Sequence, residues 1–184
     1  MRIIFPTRAV PIPLGAISLL RDVDTPTLLR RGVLGLATLG IVGTGIELVF
    51  LRHWQNLTQL IAWPAILALG LALALLVRKP RPRGIQVARG IAGVVVLVAG
   101  LGIALHFYVN LNAGPLDRDY GPRWESMTSF DQWTAAITGD VGPAPMLAPG
   151  VLAEISLALL LASMRHPALR RADDMETVPS AAAA

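Results

Sequence analysis

Apolar positions along this chain gather into four long runs separated by polar links, and each run is near the length that crosses a bilayer as a helix. The runs predict spans at about 26–53, 59–77, 85–109 and 148–165. Asp24-Thr25-Pro26 reads as a helix start, with Thr25 as cap and Pro26 in the first turn, where a missing N–H costs nothing. The link Trp54-Gln-Asn-Leu-Thr58 is short enough to force antiparallel neighbours, and Thr58 is placed to cap the second run. Pro64 lies in the first turns of that run, where it removes one backbone hydrogen bond and bends the helix.

Residues 110–147 make the one long loop. Within it, Ser129-Phe-Asp-Gln132 fits a capping box, and Phe130, Trp133 and Ile137 follow at helical spacing up to Gly139. A short amphipathic helix lying on the membrane surface is expected there, with Trp133 as its anchor. Trp54 and Trp63 suit the same interfacial level, where an indole keeps one edge wet. Taken together the pattern predicts an all-α polytopic membrane protein: an antiparallel bundle of four transmembrane helices, with one short interfacial helix in the outer loop.

Composition narrows the class. Of 184 residues 54% are hydrophobic and 15% charged, and mean hydropathy is +0.59. A net charge of +4 and a pI near 10.6 would suit nucleic acid only if the cations lined one solvated face. They flank the apolar runs instead, so no nucleic-acid partner is expected. Cysteine is absent, which excludes disulfides, thiolate metal sites and haem attachment through C-x-x-C-H. Thirteen of the sixteen Lys and Arg residues fall in the N-terminal arm, the 78–89 link and the C-terminal tail, against three in the 52–58 link and the long loop. The positive-inside rule then puts both termini in the cytoplasm and the long loop outside. A fifteen-to-one excess of arginine over lysine points to high-GC bacterial coding, hence a bacterial inner membrane. Residues 1–24, interrupted by Pro6, Pro11 and Pro13, read as a retained cytoplasmic arm rather than a signal peptide, with 12–20 on the membrane surface. Residues 25–166 form the transmembrane domain, and 167–184 read as a disordered cytoplasmic tail. Gly32, Gly35, Gly40, Gly43 and Gly45 predict that the first span packs closely and centrally.

The candidate chemistry lies at the outer ends of the spans. His106 and Asn110, four residues apart, share one helix face, and Glu47 and Glu154 are the acids embedded in apolar runs. Counting along the spans puts Glu47, His106 and Glu154 in one outer-leaflet layer, and the cost of a lone carboxylate in hydrocarbon argues that the four side chains converge. The plainest role is a polar latch that holds the helices in register. The sharper alternatives are a cofactor or metal site, with His106 and His53 as axial haem ligands or joined by the glutamates around a divalent metal, and a quinone or proton site. No catalytic residues are expected, since no nucleophile has an acid–base partner at its depth.

Glu47-Leu48 near the end of the first run, His106-x-x-x-Asn110 ending the third, and Thr138-Gly139 followed by Leu147-Ala-Pro-Gly150 resemble the sequence blocks of small four-span bacterial membrane proteins of no established activity. The resemblance covers most of residues 33–166. It departs by extra residues between Gly139 and Leu147 and in the N-terminal arm. It implies the four-span architecture and the same cluster residues, and no activity. The expected function is therefore a non-enzymatic accessory or scaffold protein, packed in the lipid bilayer beside a membrane-protein partner or a second copy and carrying no cofactor. The alternative is a redox, haem, metal or quinone-binding protein.

Overall fold

A computed structural model describes residues 24–169. Its elements are helices α1 (Thr25–Phe50), α2 (Leu57–Leu60), α3 (Ala62–Val77) and α4 (Pro82–Ala113), two 3-10 turns (Gly114–Leu116 and Gly121–Ser126), then α5 (Ser129–Thr138) and α6 (Ala148–Ser163), with no strand among the described residues. The segments Thr25–Phe50, Leu57–Val77 and Pro82–Leu116 are each long and apolar enough to cross a membrane, which marks a multi-pass membrane protein. The expected arm and tail, apart from Asp24 and residues 167–169, lie outside the described residues.

Local chemistry explains each boundary, and several differ by a residue or more from the sequence expectation. Asp24, not Thr25, caps α1: its backbone is extended and its carboxylate accepts from Thr27 N at 3.3 Å. The Thr27 side chain first, and this backbone bond to a lesser degree, hold the Asp24 carboxyl below its ordinary value. The first helix stops at Phe50, and Arg52 turns the chain with φ 48°. Asn56, not Thr58, caps the next helix by accepting from Gln59 N at 2.9 Å, while Thr58 donates to the Asn56 oxygen. Pro64 offers no N–H to the Leu60 carbonyl, and the helix is interrupted at Ile61, between α2 and α3. Pro82 opens α4 three residues before the expected start, and the helix runs on past Asn110 to Ala113. Thr128 caps α5 in place of Ser129, because it is the residue with extended backbone: it accepts from Asp131 N and donates to the Asp131 carboxylate at 2.7 Å.

The long helices lie side by side, α1 on α3, α3 on α4, α4 on α6 and α6 back on α1. Their buried positions recur at three- and four-residue spacing: Ile85, Ala88, Ala92, Val95 and Ala99 on α4, and Leu152, Ile155, Leu159 and Ala162 on α6. Alanine, more than glycine, sets the close approach. Gly32, Gly35, Gly43 and Gly45 have no neighbour within 4 Å of where a Cβ would stand, so most glycines of α1 face outward, contrary to expectation. Gly40 is the exception, since a Cβ there would stand 2.8 Å from Ile155 Cγ1. A second small core, Trp124, Ala135, Ala136 and Val141, lies under the long loop.

Candidate functional site

Two contacts fix how α6 stands against its neighbours. Ile155 is level with Gly40 on α1, and Pro149 is level with Gly102 on α4, where a Cβ would stand 3.0 Å from the proline. Before Pro149 the chain descends beside the last turns of α4 without helical hydrogen bonding, with Ala144 opposite Asn110 and Pro145 opposite His106. Part of the vertical distance is therefore covered by non-helical backbone. α6 itself has 16 residues, roughly 24 Å at 1.5 Å per residue.

Peptide groups in such a segment need partners when water is scarce. Asn110, fully buried, supplies several. Its amide group donates to Ala144 O at 2.8 Å and Ala136 O at 3.2 Å, while its Oδ1 accepts from Ala144 N at 2.9 Å. The side-chain amide thus pairs with one residue's N–H and C=O as a neighbouring backbone would. His106 Nδ1 lies 2.8 Å from Pro145 O, and since a carbonyl only accepts, Nδ1 carries the hydrogen. Pro143, Pro145 and Pro149 have no N–H to satisfy, which lightens the demand further. Gly142, at φ 83°, lets the turn close directly over Asn110; any Cβ there would overlap the asparagine's Oδ1 and Cα.

The glutamates do not join this seam. Glu47 and Glu154 are both exposed, and neither has a hydrogen-bond or ion-pair partner among the described residues, so the predicted convergence on His106 and Asn110 is not formed. The shared layer also fails. Because Pro149 is level with Gly102, Glu154 lies about nine residues, roughly 13 Å, deeper than His106. The partners of His106 and Asn110 are loop carbonyls, which carry no side-chain signature in the sequence.

His53, half-buried after α1, is close enough to His106 for the two charges to interact. Its pKa is lowered from the ordinary 6.5, first by desolvation and then by His106. Its carbonyl accepts the Trp63 indole N–H at 2.7 Å, and the Trp54 and Trp63 rings stand 6.2 Å apart. Trp133 is exposed on α5 with Phe130 and Ile137. Among the described residues no three His, Asp or Glu side chains gather as a metal-binding group.

Two arginines read only as topological markers do structural work at the opposite end. Arg30 donates to Ala162 O at 3.0 Å and reaches Met164 O and Arg165 O at 3.4 Å. Arg89 donates to Ser163 Oγ at 3.0 Å and Ser163 O at 2.7 Å. Cations from α1 and α4 therefore cap the carbonyl end of α6, where its dipole is negative. The available signal was Arg89 itself, a charge placed inside an apolar run rather than in the turn. No protein-family model, curated protein or solved structure matches this chain.

Proposed function

We propose that the protein is a small four-span accessory or scaffold protein of the bacterial inner membrane, both termini cytoplasmic, that packs against another membrane protein through its α1–α6 side. The observation that carries this reading is the outward exposure of Glu47 and Glu154 on two adjacent apolar helices. Glu154, near the level of Gly40, stands where an acid facing lipid costs roughly 2.5–3.5 kcal/mol, and Glu47, near the end of α1, stands where the cost is smaller. A donor on a partner helix removes most of that cost. The outward glycines of α1 support the same reading. In this reading the descending segment and α6 together make the fourth crossing, and α5 lies on the outer surface with Trp133 at the interface.

A photo-crosslinking residue at Leu157, one turn from Glu154, is expected to give a discrete protein adduct in intact membranes that is lost with Glu154→Leu. The same residue at Leu97 on α4 gives only lipid adducts. Lipid adducts alone from both positions would refute the partner.

One observation favours a second reading, a redox or ligand-binding role. With Nδ1–H held by Pro145, His106 keeps Nε2 available as a ligand atom, the arrangement by which proteins orient an axial haem or metal ligand. The absorption spectrum and metal content of the purified protein decide it: a Soret band or a stoichiometric metal lost in His106→Leu supports it, and neither signal excludes it.

A further inference from the structure

The cations at the arginine end fall into two groups. Arg30 and Arg89 are committed to the α6 carbonyls. In the turn joining α3 to α4, Arg78, Lys79, Arg81 and Arg83 are all exposed and have no hydrogen-bond or ion-pair partner among the described residues. Four cations thus occupy six consecutive positions, with no ion-pair partner among the described residues. Asp24, the acid described at this end, is engaged in capping α1.

The backbone adds an independent point. Lys79 has φ 46°, a left-handed conformation that glycine or asparagine adopts at lower cost. It sets the reversal of the chain just past α3, as Arg52 does past α1 and Arg165 past α6. Pro80 and Pro82 stiffen the turn on either side, which holds the cations together instead of letting them disperse into solvent.

We propose that the turn 78–83 binds the phosphate headgroup of an anionic phospholipid in the leaflet at this end of the helices. The turn caps two apolar helices, so its cations stand at headgroup level, where each attracts anionic lipid about fivefold. Pro80 keeps the link 78–81 from continuing α3, while Pro82 opens α4 and sets Arg83 in its first turn. The chemistry recognised is a phosphodiester presented at the hydrocarbon boundary. The inference rests on α3 and α4 crossing a bilayer and is independent of the accessory role.

The test is native mass spectrometry of the full-length protein in detergent, titrated with phosphatidylglycerol or phosphatidylcholine. Wild type is expected to retain phosphatidylglycerol selectively. Arg81→Gln with Arg83→Gln should weaken it about twenty-five-fold, two cations at about fivefold each. Lys79→Gly should weaken it about fivefold while holding or raising thermal stability, since glycine relieves the positive φ. Arg118→Gln, an exposed cation at the opposite end, should change nothing. Equal retention of both lipids, or unchanged binding in the Arg81/Arg83 variant, overturns the proposal. Displacement by millimolar inorganic phosphate assigns the turn to free anions and overturns it as well. Failure of the membrane reading appears separately, as release of the protein from liposomes by alkaline carbonate.

Discussion

Replacing Asn110 with leucine is expected to lower stability by about 3 kcal/mol, because three buried backbone groups lose their partner at about 1 kcal/mol each. Ala144 N, Ala144 O and Ala136 O all depend on this one amide, and the leucine side chain offers none of them a bond. Asn110→Asp should be no milder: it keeps an acceptor for Ala144 N but sets a carboxylate against two carbonyl oxygens. His106→Leu removes one hydrogen bond from a half-buried site and should cost only about 1 kcal/mol. Thermal unfolding in mild detergent gives the ranking. If Asn110→Leu proved no worse than His106→Leu, the seam would not hold the descending segment as described.

The second large effect is expected at Gly114, where α4 ends. A Cβ there would overlap Cη2, Cζ2 and Cε2 of Trp124, the buried aromatic of the loop's own core. Gly114→Val must push the indole out or part α4 from the 121–126 turn, at about 2–3 kcal/mol for an overpacked site. In a background with Trp54, Trp63 and Trp133 changed to phenylalanine, Trp124 emission should shift to the red as the ring meets solvent. Gly43→Ala is the matched control. It has open space around it and lies in a helix interior, so it should be neutral or stabilising by up to about 1 kcal/mol. An unshifted Trp124 spectrum in the valine variant would show that the glycine is not needed for the contact.

Much of this architecture was legible in the sequence, for reasons that differ from element to element. The apolar runs gave α1, α3 and α4 because bilayer thickness imposes a length that few other constraints reproduce. Pro64 and Pro149-Gly150 were readable because a missing N–H acts locally. Cap identities slipped by one or two residues at Asp24, Asn56 and Thr128, since each has another capping type beside it and backbone torsion alone selects between them.

The polar layer was misread for a different reason. Counting residues inward from expected helix ends assumed that α6 starts level with the end of α4, and the descending segment breaks that assumption. The outward direction of Glu154 could have been read: the stripe Leu152, Ile155, Ser156, Leu159 leaves position 154 on the far side of the helix. The partners of Asn110 could not, because a backbone carbonyl is the same at every residue.

The capping of α6 by Arg30 and Arg89 bears on the order in which the chain is made. Synthesis delivers both arginines well before residue 148, so for most of that time each guanidinium is at the lipid–water boundary without the carbonyls it will hold. A nascent chain halted before α6 lacks one face of α1, of α3 and of α4 at once. The packing of α1 and α4 is thereby closed at the arginine end only once residues 162–165 have been made.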